Sequence, residues 1–579
     1  MEVPAATKTA APYLVLLAVL LALLSLSHYW YTLHYFLLNA PDSDDYIDVL
    51  WFFEIFLAAQ TIPEKIYALF LPIHEHITVM NHLIYLLDYS VLKQINFDHY
   101  ILAGQVILLG ISAVLAAALP SQLPKLLRLA LAILLYVNLA YWHSSFWAMT
   151  AISNQIVIFF ALLTALLAHR YPDKWYWCLL PALASCFSQA NGLAILGALA
   201  IIPFVYSTQK FSRQMLLPVI GIAALSLLIL AFHFIHQNPF DAIHHLDHQA
   251  LTTEPELIHL YQRDVSGTQG LAFSFANMVS VFLALCGATV LKSDQYPLAI
   301  GCGVMLAIFW VVLLAKRRPL DRFTLMALFF VVCSLFLIAA GRGAWAGENP
   351  ALVAMQSRYR MYSLLLVALS ARQLLQMVQC RPAAILALLA LSGGLQIGSR
   401  HHWAAMEKNQ HMLITSYYAW LVDGGLGRST MPIYPPNQDR RLFIAYDSGR
   451  YNPLAAIPEK HLPGALRVIA SEQESLCSAS ADTVPAGTIS AFSKKPKAKA
   501  SELTLAIHSS EWQPGAKTTL LLCGNKDGLL VELGPLQYDR EQGQFWPLLL
   551  LKTQLPPGDY RAWFKQDTQG GFLGTVHIK

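Results

Sequence analysis

The chain has 579 residues, of which 56% are hydrophobic and only 13% are Asp, Glu, Lys or Arg. That charged share is about half of what a soluble globular chain carries, so water is not its main solvent. The formal net charge of +4 is small and spread over short clusters, which excludes the basic footprint of a nucleic-acid binder.

The apolar segments predict a polytopic α-helical membrane protein. We expect the first segment, which begins near residue 11, to be an uncleaved span. The stretch 175–206 is too long for one span, and its polar middle at 188–192 predicts two short helices that meet in a protected or wet cavity. With these two, the prediction is about 11 transmembrane helices. Besides these two short helices, spans are predicted near 12–38, which is the first segment, and near 99–119, 126–142, 151–168, 215–236, 296–315, 322–340, 359–379 and 382–398.

Loop charges predict the orientation of these spans. The Lys and Arg clusters fall on one side only if the apolar piece 271–291 does not cross the membrane fully. The N-terminus is then cytoplasmic, and composition and architecture favour a bacterial inner membrane. The predicted outer segments are 40–98, 143–150, 237–270, 341–358 and everything after about 400.

The C-terminal part has a different pattern. We predict a transmembrane domain over 1–400, a linker and helical region outside the membrane over 401–465, and a periplasmic β-rich, sandwich-like domain over 466–579. Cys477 and Cys523 fall in the soluble part, where they form one disulfide or both stay reduced.

An acidic run follows the first span. It contains Asp42, Asp44, Asp45 and Asp48. Carboxylates at a membrane surface can act as a base toward a hydroxyl or bind a divalent cation. The alternative is a hydrated loop that caps the next helix.

Residues 73–89 predict an interfacial helix with a polar stripe. The stripe contains His74, Thr78, Asn81, Tyr85 and Asp88, and is flanked by Glu75 and His82. The triplet His74, Glu75 and His76 suggests a metal, but the zincin pattern needs a second His where Thr78 stands, so we expect hydrogen bonding instead. A second cluster, His244, His245, Asp247 and His248, is typical of incidental surface histidines.

Three arginines interrupt the charge asymmetry at a late outer loop: Arg342, Arg358 and Arg360. Arginine matches phosphate oxygens in bidentate fashion, and a lipid-linked donor presents its phosphate at headgroup depth. We therefore predict phosphate recognition by Arg358, with Tyr359 beside it. The alternative is that Arg358 or Arg360 extends to ordinary headgroups or pairs with the first-loop acids.

This layout resembles the GT-C superfamily of membrane glycosyltransferases, which use polyprenyl-phosphate sugars. The likeness covers roughly residues 12–400 as architecture: an acidic pair, Asp44 and Asp45, after span one, interfacial helices, a short-helix hairpin and a late-loop arginine. Family members often have Asp-Glu or a single Asp at the first-loop site, so the base is left open between Asp44 and Asp45.

The resemblance implies an inverting sugar transfer from a polyprenyl phosphate to a glycan, lipid or protein hydroxyl. Asp44 or Asp45 would be the base, and Arg358, helped by Arg342, would stabilise the leaving phosphate. His74, Glu75 and His76 would line the pocket. A divalent cation, Mg²⁺ or Mn²⁺, at Asp44 and Asp45 is left open, because some relatives need one and others do not.

Three other functions remain open. A transporter or flippase of lipid-linked glycans predicts charges inside the spans, and those are nearly absent, since Asn138, Asn154 and Gln155 are the main polar residues there. A glycan polymerase or ligase would use outer arginines without needing the acid run. The third is an envelope scaffold that binds through its β domain.

Overall fold

The computed structural model describes residues 12–206 apart from 74, 75 and 173, residues 220–231 apart from 223 and 230, and residues 273–410 apart from 317–319, 348 and 408. It also describes residues 413, 445 and 448–451, and nine strands between 488 and 578. The chain forms two compact units, Met1–Leu37 with Asp44–Met406, and Leu38–Ser43 with Glu407–Lys579.

The first unit is built of helices. In chain order they are α1 (Pro12–Phe36), α2 (Phe52–Ala58), α3 (Ile62–Leu69), α4 (Val79–Leu92), α5 (Phe97–Ala118), α6 (Lys125–Tyr136), α7 (Trp142–Phe146), α8 (Ala148–Arg170), α9 (Leu179–Cys186), α10 (Leu193–Tyr206), α11 (Phe275–Gly287), α12 (Tyr296–Ala315), α13 (Arg322–Gly341), α14 (Pro350–Ala354), α15 (Arg360–Met377) and α16 (Pro382–Gly398).

Seven helical segments among the described residues are long and apolar enough to cross a membrane, which confirms the membrane-helix prediction. They are Pro12–Phe36, Phe97–Ala118, Lys125–Phe146, Ala148–Arg170, Ser293–Ala315, Arg322–Gly341 and Pro382–Glu407. The stretch 175–206 forms two shorter apolar helices, as predicted. Helix α11 has 13 residues. At 1.5 Å per residue it is about 20 Å long, shorter than a hydrocarbon core of about 30 Å. The predicted span 215–236 lies largely outside the described residues.

The predicted span 126–142 is interrupted, which the sequence pattern missed. Helix α6 ends at Tyr136, and Asn138 is extended, with its side-chain oxygen accepting the N–H of Ala140. The carbonyls opened by this break are satisfied from a distant helix, because the amide nitrogen of Gln396 donates to Leu134 at 3.2 Å and to Val137 at 2.7 Å. A break within a membrane-spanning segment is stable only when such partners are supplied.

A buried ion pair joins three helices at one end of the first unit. The Arg372 guanidinium donates to Asp321 at 2.5 Å, to the carbonyl of Ala118 at 2.7 Å and to the Thr324 hydroxyl. Asp321 also caps α13 by accepting the Thr324 N–H. Burial acts to raise the pKa of Asp321, but the charge of Arg372 and the hydrogen bonds from Gln376, Thr324 and Arg372 together outweigh it and bring that pKa to about 2. Arg170, which donates to Ala117, lies at the same end.

Helices α11 and α12 approach at backbone distance. The carbonyl oxygens of Ala299 and Leu283 occupy the positions where β-carbons on Gly287 and Gly303 would stand. Only glycine permits so close an approach of two helix backbones. The two helices therefore pack as one tight antiparallel pair.

The first loop, residues 44–96, differs from prediction at one place. A π-helical turn, Tyr46–Trp51, leads into α2 and α3. The predicted helix over 73–89 begins only at Val79, because strands β1 (Pro72–Ile73) and β2 (His76–Ile77) pair antiparallel before it. Proline at the start of a strand and β-branched isoleucines favour this extended pairing over a helix.

The described residues of the second unit include antiparallel strands. They are β3 (Thr488–Ser493), β4 (Glu502–His508), β5 (Thr518–Gly524), β6 (Leu530–Leu533), β7 (Tyr538–Asp539), β8 (Gln544–Phe545), β9 (Leu548–Leu551), β10 (Gly558–Gln566) and β11 (Gln569–Ile578). They pair in the orders β11-β10-β5-β6, β3-β4-β9 and β7-β8. The sandwich-like domain over 466–579 and the other domain boundaries stay predictions. Whether Cys477 and Cys523 are bridged or reduced stays open, because Cys477 lies outside the described residues.

Candidate functional site

The acidic run is divided between the two units. Asp42 is buried in the second unit, where it accepts hydrogen bonds from Ser43 at 2.8 Å and Asn409 at 3.3 Å. The other three acids begin the first loop of the first unit. The Asp44 carbonyl accepts the N–H groups of Ile47 and Asp48, which starts the π-helical turn. The four acids of the run, which are close together in the sequence, therefore have different surroundings.

Asp48 is a fully buried acceptor for the polar stripe of α4. One carboxylate oxygen accepts the Thr78 hydroxyl at 2.7 Å, and the other accepts Asn81 at 3.0 Å and the Tyr85 hydroxyl at 2.6 Å. Thr78, Asn81 and Tyr85 of the predicted stripe thus bond to the acidic run, 30 to 37 residues away in the chain. We call Asp48 and these three donors, together with His82, the Asp48 hub. Asp88 of the stripe pairs with His99 instead, and His74 lies outside the described residues.

His82 completes the hub. Its Nδ1 donates to the Leu69 carbonyl at 2.8 Å, and its Nε2 lies 3.5 Å from the Asp48 carboxylate. Both ring nitrogens face acceptors, and the Phe52 ring stacks on the imidazole at a centroid distance of 4.0 Å. The ring thereby links the acidic turn, α3 and α4.

The hub controls the charge of its members. Burial acts to raise the pKa of the Asp48 carboxyl, but hydrogen bonds from His82, Tyr85 and Asn81 and the charge of His82 outweigh it and lower that pKa. Burial and the neighbouring Asp48 charge raise the pKa of Tyr85 well above its ordinary value. Asp48 is therefore an anchor held in its charged form, with no exposed surface to offer a substrate.

Asp45 and Arg358 bond to the same short segment. This segment, residues 143–149, contains most of α7, the connecting Trp147 and the first two residues of α8, and we call it the elbow. The buried Asp45 carboxylate accepts the Met149 N–H at 2.7 Å. On the other side, Ser144 donates to the Arg358 carbonyl at 3.3 Å, and the His143 N–H donates to Ser357 at 3.0 Å. Two predicted site residues more than 300 positions apart thus flank one elbow.

Arg358 is half-buried with part of its guanidinium unused. Its Nε donates to Gln356 at 2.9 Å, and its cation lies over the Tyr359 ring at 5.1 Å. The two terminal nitrogens make no hydrogen bond to the described residues. Tyr359 is buried, and its hydroxyl has no partner there either. Arg342 is exposed at the end of α13.

A neutral polar network extends from the elbow into the bundle. Asn154 donates to Ser144 at 3.4 Å and accepts from Gln189 at 2.5 Å. Tyr362 donates to Gln189 at 3.4 Å and accepts from Asn191 at 2.8 Å. We call Asn154, Gln189, Asn191 and Tyr362 the amide network. Its two middle members lie between α9 and α10, where the polar interruption predicted a cavity-lining turn.

His76 is near the same turn. Its Nδ1 lies 3.5 Å from the Ala190 N–H, and the Met80 N–H donates to the Phe187 carbonyl at 3.2 Å. The β1–β2 hairpin and the start of α4 therefore contact the turn that carries Gln189 and Asn191. His74, Glu75 and the cluster at 244–248 lie outside the described residues.

Several residues that define the site have only a weak signal in the sequence. Gln189 is visible as a polar interruption, and Asn154 as one of few polar residues in a span. Nothing local indicates that Ser144 connects Asn154 to the arginine loop, because this contact joins residues 214 positions apart. Comparison of the chain with protein-family models, curated proteins and solved structures finds no match.

Proposed function

We propose that this protein is a GT-C-type glycosyltransferase that moves a sugar from a polyprenyl phosphate to an acceptor hydroxyl, with inversion, on the periplasmic face of a bacterial inner membrane. The observation that supports this most is the elbow. The Asp45 carboxylate, next to Asp44 in the chain, accepts the Met149 N–H, and Ser144 donates to the backbone carbonyl of Arg358, so an acid and a phosphate-matching arginine meet at one short segment. Such a pair supplies a base for the attacking hydroxyl and a cation for the leaving phosphate.

The two acids take different roles in this proposal. The Asp45 carboxylate is fully buried, and one of its oxygens is committed to Met149. Asp44 is half-buried and precedes it directly. Asp44 is therefore the base that accepts the acceptor's proton, and Asp45 is a positioning residue that ties the acidic turn to the elbow.

Arg358 receives the leaving group. Its fork has two terminal nitrogens that make no bond to the described residues, and bidentate binding of a phosphate needs two parallel N–H donors of this kind. As the acceptor oxygen attacks the anomeric carbon, the bond between that carbon and the phosphate oxygen breaks. The negative charge that remains on the polyprenyl phosphate is stabilised by Arg358.

In this proposal the amide network binds the hydroxyls of the sugar. Its amides and hydroxyl are neutral, and the Asn191 side-chain oxygen is buried without a partner among the described residues. Neutral donors and acceptors that converge in a buried region suit the hydroxyls of an uncharged sugar better than an anionic one. The network adjoins the elbow through Ser144, which puts the sugar next to Arg358 in the proposal.

A cation is not part of the proposal. One oxygen of Asp45 is held by Met149, and no group of three His, Cys, Asp or Glu side chains gathers in the part of the chain that the structure describes. Mg²⁺ and Mn²⁺ prefer several oxygen ligands, so Asp44 and Asp45 alone do not fit such an ion.

A transporter of lipid-linked sugars is the second candidate. The sequence suggested that charged residues are nearly absent from the spans, but α15 carries two buried arginines, Arg360 and Arg372. Arg372 is neutralised by Asp321 at one end of the helix, and Arg360 is the first residue at the other end. Since neither lies at mid-helix, where a transport site would be expected, transfer remains the better proposal.

The test is mass spectrometry of envelope glycans and isoprenyl-phosphate sugars from cells that lack the protein and carry a variant in its place. With Asp44→Asn or Arg358→Ala, the rate of transfer should fall roughly 100-fold or more while the lipid-linked donor accumulates. Asp88→Asn, an acid of the same loop whose carboxylate pairs with His99, is the matched control. Full complementation by both test variants at normal expression would refute the transferase proposal.

A further inference from the structure

A second arginine is buried close to Arg358 but contacts other elements. Arg360, the first residue of α15, is 2% exposed. Its Nη1 contacts Nε2 of His402 at 2.6 Å, and its Nη2 donates to the Met355 carbonyl at 3.0 Å. Its Nε is buried with no hydrogen-bond partner in the described part of the chain.

No carboxylate in the part of the chain that the structure describes neutralises this guanidinium. Among the described residues, no Asp or Glu oxygen lies within ion-pair distance of Arg360, whereas the other buried arginine of α15 has Asp321 at 2.5 Å. Arginine only donates hydrogen bonds, so Nε2 of His402 must accept, and the imidazole brings no negative charge. An uncompensated cation buried in a membrane protein is costly and points to a function.

The loop between α11 and α12 brings a lysine toward the elements around Arg360. His401 packs on His402 with ring centroids 3.9 Å apart, donates to the Gly398 carbonyl, and leaves its buried Nε2 without a partner among the described residues. Gly398 lies against that loop, because a β-carbon on it would stand 2.8 Å from the Val290 side chain, and the exposed Lys292 follows two residues later. The same loop also carries the exposed Asp294.

We propose that Arg360 and Lys292 form a binding site for a phosphate-type oxyanion, separate from the proposed donor site at Arg358. An oxyanion would supply the missing negative charge and accept from the Nε–H of Arg360 and from Lys292. His402 is a positioning residue that holds the guanidinium through Nη1. The oxyanion comes from a lipid headgroup or from a soluble phosphate, and the site does not depend on the glycosyltransferase proposal.

The test uses the purified full-length protein in detergent, with two arms. In the first, inorganic phosphate is titrated at constant ionic strength and its dissociation constant is measured. In the second, native mass spectrometry records whether phosphatidylglycerol stays bound. All variants are made in the Arg358→Ala background, so that phosphate cannot bind at the proposed donor site. Lys292→Ala, an exposed change, should weaken phosphate binding about fivefold or more, and Arg360→Gln should abolish it. Lys174→Ala, which removes an exposed lysine, should leave it within about twofold.

Each outcome bears on the site. Phosphatidylglycerol that is retained by the wild type, lost in Arg360→Gln and displaced by phosphate identifies a headgroup as the occupant. Phosphate binding without retained lipid identifies a soluble oxyanion. If neither ligand binds, or if Lys292→Ala and Arg360→Gln both bind as the wild type does, the oxyanion site does not exist, whatever the outcome of the transfer assay.

Discussion

Replacing Asp48 by Asn should release α4 from the first loop. An Asn side chain keeps one acceptor oxygen but turns an NH₂ group toward two donors, Asn81 and Tyr85, or toward Thr78 and His82 if it rotates. Hydrogen bonds to a charged group contribute about 1.5–3 kcal/mol each, and breaking a buried charged cluster costs about 3–5 kcal/mol. The free energy of local opening of α4 should therefore fall by about 3–5 kcal/mol.

Hydrogen exchange measured by mass spectrometry gives the assay. A loss of about 3–5 kcal/mol corresponds to a roughly 100- to 4,000-fold faster exchange of the amides in 79–92. Tyr85→Phe removes a single donor and should accelerate exchange by roughly 10- to 100-fold. Asp88→Asn, which removes the partly exposed pair with His99, should change it by less than about fivefold.

The pH dependence provides an independent check. Because the folded-state pKa of Asp48 is lowered, its contribution is present above the unfolded pKa and is lost only as the pH falls through the folded pKa. The difference between wild type and Asp48→Asn should therefore still be present at pH 5.5, which lies above the ordinary pKa of an aspartate. Exchange in Asp48→Asn within fivefold of the wild type would show that the hub does not anchor α4.

Two further predictions concern the helical bundle. Asp321→Asn keeps a good cap for α13 but leaves Arg372 as a buried cation without a partner, so denaturant unfolding should show a loss of about 3–5 kcal/mol, and adding Arg372→Leu should restore part of it. An unchanged unfolding free energy would contradict the ion-pair assignment. Gly303→Ala places a methyl group on the backbone of Leu283 and should cost about 1–3 kcal/mol, whereas Gly301→Ala, with nothing within 4 Å, should be neutral or stabilising; equal effects of the two changes would rule out the close approach.

The membrane helices follow from the sequence because length and apolarity are local properties. A run of about 20 apolar residues must satisfy its backbone internally, and a helix does this without help from elsewhere. The break after Tyr136 could not be predicted in this way. It is stable because Gln396, some 260 positions later, supplies the donors that the open carbonyls need.

Local periodicity predicted only part of the candidate site. Periodicity placed Thr78, Asn81 and Tyr85 on one stripe, and the structure confirms that they share a partner. Periodicity cannot identify that partner, because the contact with Asp48 is tertiary. Charge type alone also could not separate Arg358, with unused donors, from Arg360, which is buried against His402.

The close packing of α11 against α12 has a mechanical consequence. Helices whose backbones touch at Gly287 and Gly303 cannot slide past each other, so the pair pivots as one lever. Helix α12 has 20 residues and is about 30 Å long. A tilt of about 5° about its far end would shift its first residue, four positions after Lys292, by roughly 3 Å, which is the length of a hydrogen bond.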